Sequence, residues 1–428
     1  MNQQNSDAPE QRYGWVMVGV AALILGLANG SILSISVYLK PLAEEFGWLR
    51  GTISGGFVAA TIALGFGGIG AGWLADRFSA RPVVLAGVVA LGGSYFLLGT
   101  LDTPGEFYLY FSLMGGVGVA GVFAPLLANV GGWFSKNMGL ALGVTTAGQA
   151  LGQGFVPYFA RLLISDLGWR GAYTTLGFVS LAVLIPLALL VRSPPRPAKS
   201  AVPSAPLPPA EAGAAAKAAE VAPAVAERQF PVAPRLAVAW VTAAALFCCI
   251  CMAVPLIHVV ALAQDKGIPG NLAASILLPI YITGFFGRIF FGKVADRLGG
   301  IRAYWIASAG QTATVFWFTQ PDSLTGFYLL GPLYGFFFSG VMTCFIICVN
   351  EMTPFRIRGI SNGIVMLSAW IGMGLGGFQA GLFFDLTGSY TLSFANAAIA
   401  GVINLTIVGA LYFYHTKQEA AVPAEAPA

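Results

Sequence analysis

Charge is what this chain has least of. Only 9% of its 428 residues are Asp, Glu, Lys or Arg, against 57% hydrophobic, whereas soluble domains run at about 25% charged. That balance excludes a water-soluble domain. Histidine occurs twice, at His258 and His415, and cysteine five times, at Cys248, Cys249, Cys251, Cys344 and Cys348. Every cysteine falls inside an apolar run, where it acts as a small apolar side chain and gives neither a disulfide framework nor metal spacing. No metal cluster and no nucleophile with a base partner stands out, so the chain reads as a non-enzyme without catalytic residues, metal or cofactor. The 18 acidic residues all sit in predicted loops, tails or helix ends. Intramembrane carboxylates are costly enough in lipid to be functional by default, and lacking them the chain is ill suited to a cationic substrate or a carboxylate proton relay.

What is abundant is membrane-length apolar sequence. A helix crossing a core of roughly 30 Å needs about 20 apolar residues. Twelve such runs lie near 14–39, 52–75, 82–101, 106–133, 138–164, 171–192, 236–263, 271–292, 302–320, 325–350, 358–384 and 389–414. A net charge of +4 would suggest acidic partners in a soluble protein; here the distribution of charge matters more, and no nucleic acid is expected. With both termini in the cytoplasm, sixteen of the 22 basic residues lie inside and five outside (Lys40, Arg50, Arg161, Arg170, Lys266). Setting aside the long central loop leaves ten against five, so the positive-inside rule supports that orientation in an inner, plasma membrane. The one remaining basic residue, Arg288, falls within a run. The segment before Tyr13 has no basic n-region or small-residue cleavage site, so a removable signal is not expected.

The chain is internally duplicated. Gly72-Trp-Leu-Ala-Asp76-Arg77-Phe-Ser-Ala-Arg81 recurs 220 positions later as Gly292-Lys-Val-Ala-Asp296-Arg297-Leu-Gly-Gly-Ile-Arg302, and Gly139, Gly143 and Gly152 answer Gly359, Gly363 and Gly372. Between the copies an Ala/Pro-rich stretch lacks core-forming residues and reads as an extended linker. The expected division is a tail at 1–12, a six-helix bundle at 13–192, a cytoplasmic linker at 193–235, a second bundle at 236–415 and a tail at 416–428. Gly65-Phe-Gly67-Gly-Ile-Gly70 and Gly372-Met-Gly374-Leu-Gly-Gly377 fit a nucleotide-loop pattern, but neither follows a strand. They are read as close-packing helix faces.

The two charged turns resemble the Gly-x-Leu-Ala-Asp-Arg-x-Gly loop of major facilitator transporters. Tyr13-Gly-Trp-Val-Met-Val, Tyr38-Leu-Lys-Pro-Leu-Ala-Glu-Glu-Phe-Gly, Arg81-Pro-Val-Val-Leu-Ala-Gly and Trp133-Phe-Ser-Lys-Asn-Met-Gly-Leu-Ala-Leu-Gly-Val-Thr-Thr-Ala-Gly resemble the monocarboxylate transporters within that class and their oxalate/formate relatives. The resemblance implies an all-α membrane protein of twelve transmembrane helices, in two parallel six-helix repeats about a midplane cavity. It also implies a functional monomer that moves a small lactate- or pyruvate-like carboxylate by rocking of its halves, and it places Arg288 at the family's carboxylate-binding arginine. Two positions depart from the animal members: Leu33 stands where they carry lysine, and Gly284 where they carry aspartate. Their proton relay therefore does not transfer.

The residues themselves support a carboxylate. Arg288 has only Gly68 as its counterpart in the first copy, so scaffold symmetry does not require it, and its planar fork matches a carboxylate bidentately. The plain alternative is a side chain snorkelling to the headgroups. Tyr281 shares its helix face, and the missing side chain at Gly284 leaves room there for a ligand. His258, more often a satisfied core histidine in such settings, is a candidate titrating group. Asn29, Gln149 and Tyr334 complete the expected substrate-binding set; interhelical hydrogen bonding is their plain alternative. Asp76, Arg77, Arg81, Asp296, Arg297 and Arg302 are read as a gating latch on the cytoplasmic side, or simply as surface charges. Proton symport is the preferred coupling, with the proton near His258 and Arg288 or on the acid itself. An organic anion exchanger of the oxalate/formate kind and a non-transporting sensor are the rivals.

Overall fold

The computed structural model describes residues 7–134, 138–194, 230–354 and 357–421, nearly all of them helical, with no strand among them. Helix is the expected outcome of this composition, because in hydrocarbon every backbone N–H and C=O must be satisfied within its own segment.

α1 (Asp7–Leu33) continues past a break at Ser34 as Ile35–Phe46. The break has a local cause: Ser31, Ser34 and Ser36 each turn a hydroxyl onto a carbonyl three or four residues back, at 2.6–2.9 Å, and such bonds bend helices. α2 is Arg50–Phe78 and α3 is Ala80–Gly99. α4 opens on a Thr103/Glu106 capping box with Pro104 in its first turn, passes through a π-helical turn at Met114–Val119 and resumes at Ala120–Trp133. The helix Met138–Leu189 bends at Gly168 (φ 71°) into α5 and α6. α7 is Pro234–Asp265, α8 is Leu277–Leu298 after the short helix Gly270–Ser275, and α9 is Gly300–Val315 with a 3-10 turn, Phe316–Thr319. α10 (Leu324–Met352), α11 (Arg358–Thr387) and α12 (Thr391–Ala421) complete the chain.

Ten helices among the described residues are long and apolar enough to cross a membrane. Dividing the one that bends at Gly168 and adding the shorter α9 gives the expected twelve traverses. α1 begins at Asp7, within the stretch expected as a tail, and α12 runs past 415 to Ala421. Residues 195–229 of the expected linker lie outside the described residues.

The duplication is written into the backbone. Gly47 and Gly267, Ser79 and Gly299, and Gly168 and Gly388 all have positive φ, from 67° to 84°, and each pair is 220 residues apart. Packing repeats as well: α1 lies on α5 and α2 on α4, as α7 lies on α11 and α8 on α10, with α3–α6 and α9–α12 as the outer pairs. Glycine permits the tightest approaches. A Cβ at Gly67 would strike the Gly116 carbonyl of α4, and one at Gly372 or Gly376 would strike Leu246 or Ile250 of α7. Both Gly-x-Gly runs are thus helix-packing faces. The copies meet through α2 on α11 and α5 on α8, and the large apolar side chains left outside, such as Phe66, Leu109, Phe178 and Leu329, suit a lipid surround.

Candidate functional site

Between the two sets of six helices lies a cavity lined by α1, α5, α7, α8, α10 and α11. Leu33, Met252, Phe338 and Trp370 supply apolar walls, and Gln149, Gln153 and Arg288 the polar ones. Arg288 is the one charged side chain lining it among the described residues. Its Nη1 donates to the Thr146 carbonyl of α5 at 2.5 Å, while Nε is buried without a partner. A guanidinium has five N–H donors in a fixed fork, so the group spans the two halves and keeps donor capacity unspent. The cavity holds about 40 Å³, room for about three waters at roughly 10–15 Å³ each. A three-carbon acid therefore needs Met366, Trp370 or Met373 to give way. Met366 and Trp370 also line an adjacent cleft between α2, α4 and α11, which includes Gly68. Nothing stands within 4 Å of where a Gly68 side chain would begin; the position answering Arg288 is open space.

The other expected residues divide. Gln149 joins Arg288 at the cavity wall. Tyr281 stands behind it, edge-on to Phe338 at 5.7 Å, with its buried hydroxyl unpartnered. Tyr334 stacks on Phe338 and donates to the Met252 carbonyl of α7 at 2.8 Å. Asn29 spends its amide on the Leu25 carbonyl of its own helix at 2.9 Å. Gly284 makes no room for a ligand: a Cβ there would strike the Ser339 hydroxyl, because α8 and α10 come together at this point. That expectation is corrected, and the reason is helix-to-helix packing.

His258 belongs elsewhere, at a polar seam on the face of the molecule remote from the chain ends. Its Nε2–H donates to the Gly377 carbonyl at 2.8 Å, with the Ser54 hydroxyl at 3.4 Å. Since a carbonyl only accepts, Nε2 keeps its hydrogen, and in the neutral ring Nδ1 then accepts from the Tyr390 hydroxyl at 3.0 Å. Tyr390 accepts in turn from Arg50 Nη1 at 2.7 Å. Arg50 also forks onto Asp265 at 2.6 and 2.9 Å and lies over the Phe384 ring at 3.7 Å. Lys40 pairs with the same Asp265 at 2.8 Å. Leu49 leaves the start of α2 without a side-chain cap, and Asp385 of α11 accepts from the N–H groups of Arg50 and Gly51 at 2.9 and 2.7 Å. A carboxylate from one half thus caps a helix of the other. Sequence reasoning counted Arg50 only as a loop charge and passed over Asp265, Asp385 and Tyr390. The available signal was the placing of Arg50 and Asp265, one opening α2 and one closing α7, at the same face of the two halves.

At the opposite face the six residues expected as a latch form no such ties among the described residues. Asp76, Arg77, Arg81, Asp296, Arg297 and Arg302 are all exposed. None is in an ion pair among the described residues, whose five pairs all lie at the far face. Among the described residues, the ion pairs that join the halves lie at the far face.

Human monocarboxylate transporter 11 is 30% identical over 213 residues, covering 47% of this chain and 44% of its own, so the chain spans less than half that relative's length. Bovine monocarboxylate transporter 13 is 26% identical over 412 residues, 95% of this chain and 90% of its own. Among solved structures, a bacterial homologue of the human lysosomal transporter Spinster, inward-facing and occupied, superposes with a TM-score of 0.69 at 17% identity, covering 95% of this chain and 97% of that one. That likeness is one of fold. The sequence matches the profile of the Major Facilitator Superfamily over residues 18–376, and the chain belongs to that superfamily.

Proposed function

We propose that this transporter carries a small monocarboxylate across the inner membrane by alternating access, in symport with a proton, both chain ends being cytoplasmic. The observation that carries the reading is Arg288: the single cation at the wall of the central cavity among the described residues, bonded across to α5 yet with Nε unpartnered. A cation so placed selects an anion and offers a carboxylate two parallel hydrogen bonds. One cation favours one carboxylate over two, since a second buried carboxylate would lack a countercharge. The ion pairs that join the halves at the far face favour a conformation closed there and open toward the cytoplasm. The exposed Asp76 and Asp296 turns are then a latch waiting for the opposite state. Relatives named monocarboxylate transporters support the substrate class.

Uptake of labelled lactate, pyruvate, acetate, oxalate and aromatic acids into proteoliposomes tests the reading. Monocarboxylate uptake that rises with an inward proton gradient is expected. Uptake only against preloaded oxalate or formate would instead favour exchange, and binding without flux would favour a sensor.

A further inference from the structure

We infer that His258 is a proton-binding site whose occupation opens the external gate; the inference rests on alternating access and on the orientation proposed above, and on no particular substrate. The far-face seam draws its groups from both halves. Asp265 and His258 come from α7, Asp385 from α11 and Tyr390 from the start of α12; Lys40 comes from the end of α1, and Arg50 and Ser54 from α2. α10 brings Tyr334 to α7, with its hydroxyl already engaged at Met252.

This arrangement favours neutral His258 over the imidazolium. Nε2 must carry a hydrogen for the Gly377 carbonyl, and in the neutral ring Nδ1 is free to accept from the Tyr390 hydroxyl. A proton on Nδ1 turns that acceptor into a donor and sets it against Tyr390, which Arg50 already supplies. The displaced tyrosine hydrogen then needs an acceptor. Asp265 is held by Arg50 and Lys40, and Asp385 by two backbone N–H groups. Charge points the same way: Lys40 and Arg50 balance Asp265 and Asp385, and a protonated His258, itself 0% exposed, adds an uncompensated charge where its solvation is lost.

Separation of the halves removes the penalty. Ser54 and Arg50 leave with one half while His258 and Tyr390 stay with the other, and water reaches the ring. Protonation therefore selects the externally open state, and closure requires the proton to leave, either outward or toward the cavity. External acid therefore raises the open population.

Spin labels placed by Asp166→Cys and Gln320→Cys, both exposed at the external face on opposite halves, report the opening by distance in a background where Cys249, which lines the central cavity, is replaced by alanine; the other four native cysteines are buried. The purified full-length protein in nanodiscs, without substrate, is measured at about pH 8 and about pH 5, either side of an ordinary histidine. The parent is expected to gain a longer-distance population at the lower pH. His258→Gln, which keeps a donor for Gly377 and does not titrate there, is expected to lose that gain. An unchanged pH response in His258→Gln, or no response in the parent, overturns the assignment. Should His258→Gln not fold, Tyr390→Phe keeps the imidazole but removes its link to Arg50. The opening should then shift to higher pH, and an unmoved transition overturns the proposal. Because substrate is absent, failure here leaves the carboxylate reading to its own uptake test.

Discussion

Asp265→Asn is the perturbation that tests the far-face closure most sharply. It keeps the shape of the side chain but removes the charge that Arg50 holds with two bonds and Lys40 with one. The Arg50 side chain is 11% exposed and that of Asp265 26%, so their pair lies between two regimes. An exposed pair is worth about 0.2–1 kcal/mol, whereas losing one partner of a buried pair costs about 3–5 kcal/mol. A loss of about 2–3 kcal/mol is reasonable for this setting, or about 30- to 150-fold in the ratio of closed to open gate. Cys249 lines the central cavity and supplies a native reporter. Its alkylation by a membrane-impermeant thiol reagent added at the far face, located by peptide mass spectrometry, should accelerate in proportion to the open population. Lys40→Met removes only the outer partner and should accelerate labelling by less than about fivefold. If Asp265→Asn labels no faster than Lys40→Met, the seam is not what holds the halves together.

Asp385→Ala removes the carboxylate that caps α2 from the other half. It should weaken the closed gate by about 1–2 kcal/mol, read by the same labelling, while each half stays folded. Ser79 holds φ 82° and ψ 160°, where its repeat partner is Gly299. Ser79→Gly should relieve about 1–3 kcal/mol of backbone strain and raise the thermal unfolding midpoint; an unchanged or lowered midpoint refutes the strain. Asp76→Asn and Asp296→Asn touch exposed groups. Both should slow transport yet leave affinity in the trapped inward-facing state nearly unchanged, and lost affinity with intact exchange rates would contradict the latch.

Topology was legible because it rests on local quantities. Length and hydropathy mark each traverse, and a spacing of 220 residues, first seen in the Asp76 and Asp296 turns, recurs in the backbone of the Gly47, Ser79 and Gly168 pairs. Arg288 was legible by its isolation, a lone charge in an apolar run without a counterpart at Gly68. The far-face seam was not, because its bonds join residues as distant as Arg50 and Tyr390, 340 apart, and no local period encodes a pairing between halves. Gly284 misled for a related reason. A missing side chain reads equally as ligand space or helix contact until the partner helix is known, and here Ser339 of α10 fills the space.

The central claim is that Arg288 binds a substrate carboxylate, and equilibrium binding of labelled monocarboxylate to Arg288→Ala and Arg288→Lys measures it directly. Removing one partner of a desolvated charge pair costs about 2–5 kcal/mol, so Arg288→Ala, folded and inserted, should lose binding and uptake together. Arg288→Lys, with charge but no fork, should recover only part, and a neutral amide analogue should bind the parent poorly. Wild-type affinity and uptake in Arg288→Ala would show that the guanidinium serves the contact with Thr146 alone, and would contradict the account.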